Sequence, residues 1–178
     1  MCNGMELYTS KIKECKLVHY KLYNCDITDI PIPEDWKPFQ REYLPDDSPW
    51  KYMPDWLSHS TTLSEEVLIH FYIQKAGFEL PFHTDDPAGG MCALNYLVQG
   101  DEPIVFEEGG PVYYKIGLMN IQKKHMVPAG KVDRILLRYS FLTTSFDTVE
   151  VELTKLLESR SSISYKDLNS LLIDMYGD

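Results

Sequence analysis

Two histidines, an aspartate and a downstream arginine are the residues of this chain best suited to chemistry. The triplet His83-Thr84-Asp85 is followed by His125 and, nine residues further on, by Arg134. Two imidazoles and one carboxylate form the ligand set of a mononuclear non-haem Fe(II) centre that keeps coordination positions open; Mn(II), Co(II) and Zn(II) accept the same donors, so geometry decides among them. On an extended segment residues i and i+2 share a face, so His83 and Asp85 can converge on one ion while Thr84 points away. An isolated HxD arises often by chance, and a lone His is ordinarily a surface or core residue. Its surroundings therefore carry the weight.

The run from His125 through Pro128, Gly130 and Arg134 to Phe141 (HMVPAGKVDRILLRYSF) reads as a strand end, a glycine-containing turn and a strong strand. Along that strand Arg134, Leu136, Arg138 and Ser140 share one face, and Ile135, Leu137, Tyr139 and Phe141 share the other. An arginine facing into a barrel is costly unless it meets an anion, and its fork matches a carboxylate. A solvated outer face carrying both arginines is the competing arrangement.

The elements that must position these groups are short. Glu66–Gln74, Met91–Val98, Pro103–Glu107, Val112–Lys115, Ile116–Gln122 and Arg134–Thr143 are apolar or alternating runs, and Gly- and Asp-rich turns separate most of them. Strands at this spacing predict an antiparallel barrel or a double-sheet jelly roll. Lys16 to Cys25 reads as a further strand. Between Ile30 and Trp56, six prolines with Trp36, Trp50 and Trp56 predict an irregular, packed loop that could cover a site. Ser164 with Asp167 resembles a capping box ahead of Leu168, Leu171, Leu172 and Met175, predicting a helix over about 164–176 and a shorter one near 152–159.

At 178 residues a single domain is expected, with 1–65 an N-terminal strand and covering segment, 66–143 the barrel core and 144–178 a C-terminal extension. The net charge of -10 disfavours non-specific binding to nucleic acid or anionic membranes. Cys2, Cys15, Cys25 and Cys92 include no CxxC pair, no signal peptide is visible, and no uncharged stretch approaches the ~20 residues of a membrane helix. A cytoplasmic protein with reduced thiols is the expectation. His19, His59 and His70 lack partners at ligand spacing and read as structural. Asp86 reads as the start of the Pro87 turn.

The segment from about Tyr72 to Phe141 resembles the double-stranded β-helix core of the Fe(II)/2-oxoglutarate-dependent dioxygenases, and the prolyl-hydroxylase-like branch most of all. Tyr72…Gly77 leading into Pro81-Phe82-His83-Thr84-Asp85 is similar to that branch's strand, glycine turn and HxD. His125-Met126-Val127-Pro128 followed by Arg134 is similar to its distal His and basic residue. The resemblance covers roughly seventy of the 178 residues. It implies a mainly β, jelly-roll or cupin-like barrel with flanking helices, and Fe(II) held by His83, Asp85 and His125. Arg134 would bind the far carboxylate of 2-oxoglutarate, with Tyr96 and more weakly Tyr72 as further contacts. Asn95 and Tyr96 alternate, so one faces inward, and Tyr96 is the assigned one. The Arg-x-Ser form common in relatives is absent at Arg134 but present at Arg138-Tyr139-Ser140, so Arg138 is the second candidate anchor or a partner for a barrel carboxylate.

The implied activity uses O2, releases succinate and CO2, hydroxylates a protein side chain, a small metabolite or less readily a nucleobase, and can draw on ascorbate. Two other readings stay open: a non-catalytic acidic binding or inhibitor protein on the same barrel, and a Zn- or Mn-cupin with other chemistry that does not require Arg134.

Overall fold

The computed structural model describes residues 19–85 and 90–177. Eight strands form the barrel: β5 (Val67–Gln74), β6 (Leu80–His83), β7 (Cys92–Gln99), β8 (Ile104–Phe106), β9 (Gly110–Val112), β10 (Ile116–Met119), β11 (His125–Val127) and β12 (Arg134–Phe141). They divide between two antiparallel sheets, β10-β7-β12-β5 in one and β6-β11-β8-β9 in the other. The chain crosses repeatedly from sheet to sheet, and this strand order is that of a double-stranded β-helix. The larger sheet is extended at one edge by β1 (Tyr20–Tyr23) and at the other by β4 (Tyr52–Thr62) and then β3 (Lys37–Gln40), which makes seven strands.

Each face of the larger sheet is covered, which removes the simple inside-apolar, outside-polar alternation. Leu137, Tyr139 and Phe141 of β12 are fully buried on the outer face, against α1 (Phe146–Leu157) and α2 (Tyr165–Tyr176). Burying each side chain of this size stabilises the fold by roughly 1.5–3 kcal/mol. The opposite face of β12 looks into the barrel, where Leu136 packs with Met53, Trp56, Tyr72, Leu80, Leu97 and Val127. Ser145 caps α1 by accepting from the Thr148 amide, and Ser164 caps α2 by accepting from the Asp167 amide at 3.1 Å. The parallel pair β2 (Asp26–Thr28) and β13 (Ser162–Ser164) ties the helices to the N-terminal part of the chain.

The predicted short strands and C-terminal helix are present, with three differences. The helix expected near 152–159 begins six residues earlier, at Phe146, because Ser145 supplies the cap. The strand expected at Val112–Lys115 is Gly110–Val112 instead. The Pro- and Trp-rich segment contains β3 and the first five residues of β4. Residues 30–36 and 41–51 are irregular as expected, and β3 and β4 shift register between Pro38 and Phe39, opposite the stretch of β4 that holds Pro54; there the missing proline N–H interrupts no ladder. Cys25 and Cys92 are free and buried, whereas Cys2, Cys15 and the Asp86-Pro87 turn lie outside the described residues. No helix among the described residues is long and apolar enough to cross a membrane.

Candidate metal centre

The site forms where the ends of β6 and β11 meet. His125 is the cross-strand partner of His83, and their ring centroids are 4.4 Å apart. Just past β6, the Asp85 amide donates to the Ile121 carbonyl at 3.1 Å, which fixes the backbone where the carboxylate departs. The Asp85 Oδ1 atom lies 3.3 Å from His83 Nε2 and 3.6 Å from His125 Nε2. One donor atom from each residue falls within a 4.8 Å cluster, a spacing that an ion bonded to each at about 2.0–2.2 Å would occupy.

Backbone carbonyls set both imidazoles. His83 Nδ1 lies 2.7 Å from the Pro81 carbonyl and His125 Nδ1 lies 2.7 Å from the Lys123 carbonyl, each two residues back. With Nδ1–H donated, Nε2 keeps its lone pair and faces the centre, as a metal ligand requires. Burial pushes the His125 pKa down to about 4 against the attraction of Asp85, so that imidazole is neutral at physiological pH. Burial alone would raise the Asp85 carboxyl; Arg138, His83 and His125 together outweigh it and hold the group well below the usual carboxylate range. The Asp85 carboxylate and the neutral His125 imidazole converge with His83 Nε2, and this donor set fits a divalent cation.

Arg138 completes the arrangement. Its Nη2 donates to Asp85 Oδ2 and its Nε donates to Ser140 Oγ at 3.1 Å. The two carboxylate oxygens are therefore divided, Oδ1 toward the imidazoles and Oδ2 toward the guanidinium. Burial opposes the Arg138 charge, but Asp85 more than compensates and raises its pKa further. Outside this cluster a cavity of about 370 Å³ opens, walled by Phe39, Trp50, Trp56, Tyr72, His70 and Arg138, among others. Trp50 stands 5.4 Å from the His83 ring, so the segment between β3 and β4 reaches the cluster.

The expected site residues are distributed as follows. His83, Asp85, His125, Arg138 and Tyr72 meet at this centre or line its cavity. Arg134 shares the interior face of β12 and is 2% exposed, yet it does not line the cavity. Its Nη2 donates to the Tyr114 hydroxyl, its Nε is buried without a partner, and among the described residues no carboxylate pairs with it. Gln74, its cross-strand partner, likewise leaves Oε1 buried and unpartnered.

Tyr96 must be corrected: it belongs to the outer face. Its ring is part of the helix-side core, its hydroxyl donates to Asp26 and the Lys115 ammonium sits 4.6 Å above the ring. Asn95, directly opposite Arg138 across the strand pair, takes the inward position instead. His70 was read as structural and lies on the cavity wall: it pairs across from Arg138, stacks on Tyr72 at 5.5 Å and holds Ser60 through Nδ1 at 2.7 Å. Its place two residues before Tyr72 on one strand was the available signal.

No protein-family description matches the sequence, and no curated protein does either. Solved structures do. An RmlC-like cupin protein from Desulfovibrio desulfuricans is similar at 20% identity over 50% of this chain and 84% of that one, with a TM-score of 0.39. An RmlC-like cupin from Ralstonia eutropha is similar at 17% identity over 60% of this chain and 62% of that one, with a TM-score of 0.43. The salicylate 1,2-dioxygenase of Pseudaminobacter salicylatoxidans is similar at 12% identity over 57% of this chain, which spans 29% of the dioxygenase, with a TM-score of 0.42. The strand order itself defines a double-stranded β-helix, with the His83, Asp85 and His125 cluster at one mouth.

Proposed function

We propose that this chain is an Fe(II)- and 2-oxoglutarate-dependent oxygenase that hydroxylates its substrate and releases succinate and CO2. The observation that carries the reading is the pairing of two features in one barrel: the converging His83, Asp85 and His125 donors, and the buried Arg134 guanidinium with no carboxylate partner among the described residues. A buried cation of this kind is costly until an anion meets it. His83 Nε2, His125 Nε2 and Asp85 Oδ1 would hold the iron, and bound iron supplies oxygen activation.

The spacing of the two arginines favours Arg134 as the anchor for the co-substrate's far carboxylate. Arg138 already touches Asp85 and is too close to the metal to receive the remote end of a diacid chelated there. Arg134 lies four residues, roughly 13 Å, further along the same strand face, with the Tyr114 hydroxyl beside it as a second donor. The test is succinate formation from Fe(II) and 2-oxoglutarate by the wild type and His83→Ala, together with an anaerobic charge-transfer band. Absence of metal-dependent turnover, even uncoupled from substrate, overturns the reading.

One observation favours a second reading. The open cavity does not extend to Arg134, and Leu136, between the two arginines on that face, is 4% exposed. A metal-dependent cupin that uses no 2-oxoglutarate fits a sealed Arg134. In that case Arg134→Ala leaves metal binding and turnover alike intact, whereas the first reading requires loss of co-substrate affinity.

A further inference from the structure

Three loops close the end of the barrel around Arg134, those joining β5 to β6, β7 to β8 and β11 to β12. Gln74 Nε2 donates to the Phe78 and Pro128 carbonyls at 2.7 and 3.1 Å, and the Gly77 amide donates to the Gly130 carbonyl at 2.9 Å. Into this closure the β7–β8 loop inserts an acid, Glu102. A Cβ on Gly130 would stand 1.9 Å from Glu102 Oε1, so a glycine there is what leaves room for the carboxylate. A Cβ on Gly100 would stand 2.9 Å from Glu102 Oε2 and 3.2 Å from both Cβ and Cγ of Arg134. The carboxylate and the arginine stem therefore flank one point, packed against two glycines.

Three buried polar atoms at this end have no hydrogen-bond partner among the described residues: Arg134 Nε, Gln74 Oε1 and Glu102 Oε2. They are of complementary kinds, one donor and two acceptors, and an unmet buried polar group is costly. Glu102 and Arg134 make no direct ion pair, yet opposite charges placed side by side at the closed end of a barrel attract strongly. Asp133, next to Arg134 in sequence, is held elsewhere, by the Lys75 ammonium at 2.8 Å and the Ala76 amide at 2.9 Å. A ligand carboxylate that reaches Arg134 meets Glu102 as a like charge, and that repulsion subtracts from its affinity.

We propose that Glu102 is the resident counter-ion of Arg134 and a specificity-determining residue of the site: a ligand carboxylate takes the guanidinium at the expense of Glu102. The inference rests on the oxygenase reading, in which that ligand is 2-oxoglutarate. Glu102 then sets how tightly the co-substrate binds, and how far a diacid is preferred over a 2-oxo acid with no second carboxylate.

Calorimetry on the full chain loaded with Mn(II) provides the test, using 2-oxoglutarate and 2-oxobutyrate, which shares the chelating end and lacks the far carboxylate. Glu102→Gln should bind 2-oxoglutarate roughly tenfold more tightly than the wild type, the scale of one like charge removed from a partly buried site. Affinities for 2-oxobutyrate and for Mn(II) should stay at the wild-type values, with unchanged far-ultraviolet spectra. In urea unfolding without metal, Glu102→Gln and Arg134→Met combined should lose less stability than the two single variants summed. Unchanged or weaker 2-oxoglutarate binding by Glu102→Gln, an equal gain for 2-oxobutyrate, or strict additivity in unfolding overturns the inference while the oxygenase reading stands. If 2-oxoglutarate binds no form of the protein, the wild type included, the oxygenase reading falls and this role of Glu102 falls with it.

Discussion

Replacing Arg138 with methionine should destabilise the metal-free protein far more than the metal-loaded one. Asp85 and Arg138 have side chains 11% and 12% exposed and pair directly, so methionine strands a buried carboxylate beside two imidazoles. Breaking such a pair costs about 3–5 kcal/mol, and for a chain of this length that is a fall in melting temperature of roughly 10 °C. A divalent ion at Asp85 Oδ1 replaces the lost positive charge, so saturating Mn(II) should recover half or more of the loss. The assay is urea and thermal unfolding of wild type, Arg138→Met, Asp85→Asn and the double variant, each in chelator, with the wild type and Arg138→Met repeated in Mn(II). In chelator the double variant should lose less than the two single variants summed, because removing both charges leaves neither one stranded. Equal losses with and without metal, or strict additivity, would show that Arg138 serves packing alone and refute the argument.

Three further outcomes follow from the geometry. Arg134→Met should lower 2-oxoglutarate affinity by more than about tenfold while calorimetric Mn(II) affinity stays at the wild-type value. Tyr96→Phe, which removes only the hydroxyl donated to Asp26, should cost about 1 kcal/mol in urea unfolding and leave metal and co-substrate affinities unchanged. His70 has a folded pKa of about 4 against ~6.5 in the unfolded chain, so the unfolded state binds more protons between those values. Stability should therefore be lost as pH falls through that window, by about 2 kcal/mol from pH 7 down to 4.5 from this group, and denaturant titrations of His70→Gln should show a correspondingly smaller loss on acidification.

The convergence of His83 and Asp85 was legible because the i, i+2 parity of an extended HxD needs no tertiary information, and β6 keeps that parity through His83. The shared face of Arg134 and Arg138 was legible for the same reason. Parity does not supply a sign, however. In β7, Cys92 to Leu97 are all buried, since helices cover one face and the barrel the other, so hydrophobicity could not say whether Asn95 or Tyr96 pointed inward. Nor could spacing show that Arg138 reaches Asp85, because that contact joins residues 53 apart in sequence. β4 was hidden by Pro54, whose effect is absorbed where the β3–β4 register shifts. His70 read as structural because a residue that shapes a cavity need not carry ligand spacing.

The extension of the larger sheet by β4 and β3 has a mechanical meaning. β4 pairs with β5 from Trp56 to Thr62, and β5 pairs with β12 along its whole length. Trp56 and Phe39, which wall the cavity beside the His83, Asp85 and His125 cluster, are thus carried on hydrogen-bonded strands continuous with the one bearing Arg138. Their separation from that cluster is a property of the sheet and does not depend on a hinge. The distance from Trp56 to that cluster is therefore written into strand register, whereas Trp50, on the segment between β3 and β4, is held by no such ladder.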